Sequence, residues 1–116
     1  MSRVRTQIMY VQRGWESGRI GRVTLSQTGR TLHYRGRSFS ALRGGGYKAS
    51  HIDANTHEEY WISGPRKDGQ DTLYPGLVEI DEDVRDEYWT VVRQRPQDVA
   101  KRHFRSLGRH ARHATR

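Results

Sequence analysis

HEEYWISGPRKDGQDTLYPGLVEIDEDVRDEYWTVVR, residues 57–93, holds two of the three tryptophans and three of the six tyrosines. Eleven of the thirteen acids lie in 53–87. Tyr60-Trp61-Ile62-Ser63 has the aromatic and β-branched content that strands prefer, and Gly64-Pro65 ends it. Arg66-Lys67-Asp68-Gly69 reads as a turn, because Asp tolerates a left-handed backbone and Gly adopts it freely. Thr72-Leu73-Tyr74 is then expected to return as the partner strand of a hairpin, and Leu77-Val78-Glu79-Ile80 to form a further short strand. Asp81 stands where a helix N-cap would, with Glu82 and Asp83 behind it to complement the positive end of the helix dipole. Val84, Tyr88, Val91 and Val92 recur at helical spacing, with Trp89 at the edge of that face, so 82–93 is predicted as an amphipathic helix packed on a sheet.

Upstream of this stretch the chain alternates short apolar runs with turn residues. Thr6 to Gln12, Ile20 to Ser26, Thr31 to Arg35, Arg37 to Leu42 and Tyr47 to Asp53 are predicted strands. Gln27-Thr28-Gly29-Arg30 is a hairpin turn, Gly36 a break, and Arg43-Gly44-Gly45-Gly46 a loop. Strands at this close spacing indicate a mainly β fold with some α: a small antiparallel, strongly curved sheet or SH3-like barrel with one packed helix. Pro96 is well placed to open a second helix, with Val99, His103 and Leu107 on one side and Gly108 as its stop. The expected organisation is a frayed 1–5, a single β-rich domain over 6–95, and a basic helical or disordered extension over 96–116.

The net charge of +8 is unevenly spread. Residues 1–48 carry +9, residues 49–92 carry −8, and residues 93–116 carry +7. Within one fold the acidic middle can neutralise the basic first half, which leaves the C-terminal excess free to meet a polyanion. There is no cysteine, so disulfide and thiolate-metal chemistry are excluded. No apolar run is long enough to span a membrane, and the first residues lack the apolar core of a signal peptide, so the expected compartment is the cytoplasm.

"IGRVTLSQTGRTLHYRGRSFSAL", "YKASHIDANTHEEYWISGPRKDGQDTLY" and "VEIDEDVRDEYW" together resemble a family of small uncharacterised bacterial proteins over about residues 19–93. Members sometimes carry the label 1-deoxy-D-xylulose-5-phosphate synthase. That activity requires thiamine diphosphate held through a metal-binding Gly-Asp-Gly motif, whereas here Lys67 precedes Asp68-Gly69. The resemblance implies a fold unit, with no catalytic residue to carry over.

No pattern of catalysis stands out. The glycine run 44–46 lacks the Lys-Ser/Thr of a phosphate-binding P-loop. His103, His110 and His113 have no metal-ligand spacing, and the carboxylates of 58–87 are accounted for as a solvated face and a helix start. No cofactor, metal or catalytic residue is therefore expected. The leading reading is a non-enzymatic nucleic-acid-binding module that acts mainly through phosphates. Arg35, Arg37, Arg43, Lys48, Arg66 and Lys67 would supply charge on the domain, and Arg102, Arg105, Arg109 and Arg112 from the C-terminal segment. Tyr34 and Tyr47 would stack on exposed bases. The alternative is a protein-interaction module, an antitoxin- or immunity-like partner, docking through Glu58, Glu59, Trp61, Glu82 and Glu87.

Overall fold

Eight strands and one helix make up the computed structural model, which describes residues 5–14, 16–42, 49–72 and 74–108. The strands are β1 (Arg5–Arg13), β2 (Gly18–Leu25), β3 (Thr31–Tyr34), β4 (Arg37–Ala41), β5 (His51–Asp53), β6 (Glu59–Ser63), β7 (Gly76–Ile80) and β8 (His103–Ser106). The helix, α1, runs over 82–92.

Strands β1 to β6 form an antiparallel meander, each paired with the next. The meander closes because β1 also pairs antiparallel with β6, through Tyr10↔Ser63 to Arg13↔Tyr60. Closure leaves no free edge between first and last strand. The outer edge of β2 is divided. Its C-terminal end pairs with β3, and its N-terminal end pairs in parallel with β7, from Gly18↔Val78 to Ile20↔Ile80. β8 then adds antiparallel to β7, so the sheet extends beyond the barrel.

Period-two alternation sorts the side chains into two cores. Val11, Val23, Leu32, Tyr34, Phe39, Tyr60 and Ile62 fill the barrel. The opposite faces of β1 and β2 contribute Ile8, Tyr10 and Ile20 to an outer core with Val78, Ile80, Val84, Tyr88 and Trp89. Neighbouring Tyr10 and Val11 are therefore both buried, because their strand is covered on both faces. Two cores sharing one wall allow a chain of only 33% hydrophobic residues to bury its aromatics.

The barrel, the helix packed on its wall and most of the strands follow the sequence reading, and three local expectations are corrected. Thr72 and Tyr74 do not pair with β6. Both edges of β6 are taken, by β1 and β5, so Thr72 instead donates its hydroxyl to Ser106 Oγ at 2.8 Å; Leu73 lies outside the described residues. The inward face of α1 also differs. Its last turn widens, with Arg93 N–H donating to Tyr88 O, five residues back. That rotation buries Trp89 fully and leaves Val91 64% exposed. Finally, the second helix expected from Pro96 is a single 3-10 turn, Pro96–Asp98, followed by β8. Pro96 does open that turn. The unpaired edge of β7 then offers Phe104 and Ser106 an inward face at strand period, which an isolated short helix could not match. The sheet consequently includes residues 103–106.

Gly21 marks a tight point where β2 crosses the barrel mouth. A Cβ there would lie 2.4 Å from Tyr34 Cε1 and 2.6 Å from Asp81 Oδ2. Gly64, by contrast, has open space around it. Gly21→Ala should therefore destabilise the fold by about 2 kcal/mol and Gly64→Ala by less than about 0.5 kcal/mol, read from urea unfolding midpoints. Equal midpoints for the two variants would contradict this packing.

Candidate nucleic-acid interface

At one end of the barrel, strand alternation and the β3–β4 turn bring four arginines to a single mouth. Arg13 of β1, Arg19 of β2, Arg35 of the β3–β4 turn and Arg37 of β4 line a cleft of about 160 Å³ floored by Tyr34, Phe39 and Tyr60. The turn is a two-residue hairpin in which Arg35 (φ 50°) and Gly36 (φ 77°) both take left-handed backbone.

Each of these arginines meets a carboxylate from the acidic middle of the chain. Arg35 Nη2 donates to Asp81 Oδ1 at 2.8 Å, and Arg19 donates to the same oxygen through Nε at 3.1 Å and to Glu79 through Nη1 at 2.6 Å. Arg37 Nη1 donates to Asp53 Oδ2 at 2.8 Å, and Arg13 pairs with Glu58. Asp81 occupies the N-cap position of α1, yet its side chain makes no capping bond, because it is committed to Arg19, Arg35 and Tyr34. The Tyr34 hydroxyl donates to Asp81 Oδ2. Burial first, and then that bond, push its pKa up to about 12, so it keeps its proton at neutral pH.

Tyr34 and the pair Arg35 and Arg37 are thus brought together, but not as a stacking and phosphate-binding face. Tyr34 is 9% exposed, and its ring forms part of the barrel core. Both arginines are occupied by buried carboxylates. Arg43, Tyr47 and Lys48, expected beside them, lie outside the described residues, as do Arg109 and Arg112.

A second basic surface lies on the other side of the molecule's covered wall, between the end of α1 and β8. A groove of about 730 Å³ is lined by Arg93, Arg95, Lys101, Arg102, His103 and Arg105, with Asp98 as the one acid among its described lining residues. Its floor is aromatic. Tyr88 and Phe104 stack at 5.7 Å, and Trp89 meets Phe104 edge-on at 5.7 Å. The Arg93 guanidinium sits over Phe104 at 4.9 Å, Trp89 at 5.0 Å and Tyr88 at 5.8 Å, and Nη1 donates to the Tyr88 hydroxyl at 3.1 Å. Burial pushes the Tyr88 pKa well up.

Hydrogen bonds and ion pairs brace the walls of this groove. Trp89 Nε1 donates to the Lys101 carbonyl at 2.9 Å. Asp98 accepts from Arg95 Nε at 2.6 Å and pairs with Lys101 Nζ at 3.2 Å, and chiefly the Arg95 bond lowers its pKa. Gln70 Oε1 accepts from the N–H groups of Leu107 and Gly108 at 2.7 and 3.2 Å, stitching the 66–72 loop to the end of β8. Gly69 packs directly on Arg93, where a Cβ would come within 2.4 Å of Nη1. The turn carrying Arg66 and Lys67 therefore adjoins the groove. Arg66 pairs with Asp68 at 3.1 Å, while Lys67 is exposed.

On β8, His103 and Arg105 point outward and Phe104 and Ser106 inward, which places the two outward side chains about 7 Å apart along one strand face. Arg102 and Arg105 are exposed, and among the described residues neither meets a carboxylate. Sequence reading named both residues but placed them on a helix. It missed Arg93, Arg95 and Lys101 as groove residues, although the charge of +7 over 93–116 was the signal that could have found them.

The residues expected to dock a protein partner are dispersed by comparison. Glu58 pairs with Arg13, Glu82 with Arg85 at 3.0 Å, and Glu87 with Arg22 at 2.8 Å. Glu59 and Trp61 share the wall of a separate cavity. Among the described residues, no group of three His, Asp or Glu is placed to hold a metal ion, and no helix is long and apolar enough to cross a membrane.

The fold and its charged surfaces define a small closed β-barrel with a covered wall and a basic groove. No family model, curated protein or solved structure matches the chain.

The mouth makes an acid-sensitivity prediction. Asp53 Oδ1 accepts the N–H groups of Asn55 at 2.8 Å and Thr56 at 3.1 Å, while Oδ2 holds Arg37. The Thr56 N–H, then Arg37, then the Asn55 N–H lower its pKa from the ordinary 3.8 to about 2. A carboxyl depressed on folding stabilises above its unfolded pKa and loses that stabilisation as pH falls through the folded value. The melting temperature should therefore drop between pH 4 and pH 2, and Asp53→Asn should flatten part of that drop while lowering stability at pH 7. An unchanged pH slope in the variant would refute the assignment.

Proposed function

We propose that this chain is a non-enzymatic nucleic-acid-binding module acting mainly through phosphate contacts. The observation that carries this reading is the groove between α1 and β8, where, among the described lining residues, five Arg and Lys side chains face one acid. Exposed cations on a rigid surface attract a phosphate backbone by releasing its counterions, with no need for base-specific contacts. Arg102 and Arg105 are the principal phosphate ligands, because no carboxylate competes for them among the described residues. Lys101, Arg95 and Arg93 raise the potential around them, and Arg66 and Lys67 extend it from the adjoining turn. Arg43, Lys48, Arg109 and Arg112 stay in the reading on sequence grounds, with Tyr47 as the stacking residue. Arg35 and Arg37 become structural, since freeing them would leave Asp81 and Asp53 without those partners. The resemblance over 19–93 belongs to the same reading and adds no catalytic group.

Fluorescence anisotropy with labelled single-stranded RNA, single-stranded DNA and duplex DNA, at two salt concentrations, tests this. Binding should weaken as salt rises. The double variant Arg102→Ala, Arg105→Ala should bind on the order of ten-fold more weakly at low salt, with the duplex salt slope reduced by about 2. Both side chains are exposed, so the fold should survive the change. Absence of binding at low salt, or binding indifferent to salt, would sink the proposal and return the choice to a protein partner.

A further inference from the structure

Away from the basic groove, a cavity of about 210 Å³ opens between the β1–β2 connection, β6 and the approach to β7. Its described lining includes Glu16, Glu59, Trp61, Tyr74, Pro75 and Leu77. Two of the four exposed large hydrophobic side chains in the described residues are here, Tyr74 at 47% and Leu77 at 40%. Their clustering beside Trp61 is an exposed apolar patch inside a concavity, which is how small-ligand sites are commonly built.

The charge at this site has one sign. Among the described lining residues there are two carboxylates and no Lys, Arg or His. Glu16 reaches Arg13 at 3.4 Å, but 66% of its side chain stays exposed. Glu59 is exposed and makes no ion pair among the described residues. The same two carboxylates also border the adjacent cleft with Glu58 and Arg13, where Arg13 pairs with Glu58 and leaves Glu59 as the carboxylate without an ion pair among the described residues. The wall on the β1 side is tied in place. Gln12 Oε1 accepts the Tyr10 hydroxyl, and Gln12 Nε2 donates to the Gly14 carbonyl at 3.1 Å. Gly18 at the back admits no side chain, since a Cβ would lie 2.2 Å from the Tyr10 hydroxyl oxygen.

We propose that this cavity is a binding site for an alkylammonium ion. The ammonium group sits against Glu59 and Glu16, and the alkyl chain lies on Trp61, Tyr74 and Leu77. Aromatic faces attract cations through their quadrupole, and the carboxylates add a full charge at the rim. A neutral or anionic ligand of the same shape gains neither term. The site is independent of the nucleic-acid reading, because it shares no residue with the basic groove.

The test is a heteronuclear NMR titration of the full chain at pH 7, following the Trp61 indole N–H, identified by its loss in Trp61→Phe. The probes are n-butylammonium, n-butanol and butyrate. Saturable shifts are expected with n-butylammonium alone. Glu59→Gln and Glu16→Gln should each weaken it roughly five-fold, with melting temperatures unchanged. Butanol binding as well as butylammonium, affinity indifferent to both Glu→Gln changes, or no saturable shift would each overturn the proposal. A polyamine and a lysine side chain present the same group. Titration with spermidine and with N-acetyl-lysine amide separates those sources, and the tighter of the two identifies which is preferred.

Discussion

Pairing of β1 on both edges is the constraint on which the rest of the structure depends. One edge runs along β2 from Arg5↔Leu25 to Val11↔Arg19, and the other takes β6 from Tyr10↔Ser63 onward. Without the second pairing the meander would be an open sheet with one apolar face and two bare edges. Closure turns that face into a sealed interior and fixes which side of β1 and β2 remains to be covered. The outer core under α1 and β7 exists because that remaining side carries Ile8, Tyr10 and Ile20. The groove in turn exists because covering the wall ends in a widened helical turn and an added edge strand, with Phe104 packed between them.

Charge is distributed along the same lines. Arg13, Arg19, Arg22, Arg35 and Arg37, all from the basic first half, pair with Glu58, Glu79, Asp81, Glu87 and Asp53 of the acidic middle. Asp53 and Asp81 are nearly buried, so their arginine partners are needed to hold a charge away from water. The C-terminal bases have a single acid of their own, Asp98, which is shared between Arg95 and Lys101. Among the described residues, Arg102 and Arg105 meet no carboxylate. The cations of the groove are therefore less neutralised by the described carboxylates than those of the barrel mouth, although both are rich in arginine.

What was hidden in the sequence lay mostly in long-range competition. Thr72-Leu73-Tyr74 has strand-forming residues, but both edges of β6 are already occupied by β1 and β5. His103 to Ser106 fits a helical stripe with Val99 and Leu107 as well as it fits a strand, and the open edge of β7 decides between them. Tyr34 beside Arg35 and Arg37 reads as a recognition patch until alternation turns its ring inward onto the barrel core. The cavity walled by Trp61, Tyr74, Leu77, Glu16 and Glu59 draws on three segments far apart in the chain, and no local pattern announces it.

The sequence by itself determined the mainly β class, most strands, the helix after Asp81 and the division of charge into a self-neutralising body and a basic end. These follow from local alternation, turn chemistry and composition, which act over a few residues. The tertiary structure alone decided the barrel closure, the parallel docking of β7 on β2, the strand at 103–106 and which of the described arginines pair with carboxylates. Each of those depends on whether a strand edge or a carboxylate is already occupied by something distant, and occupancy is a property of the folded chain.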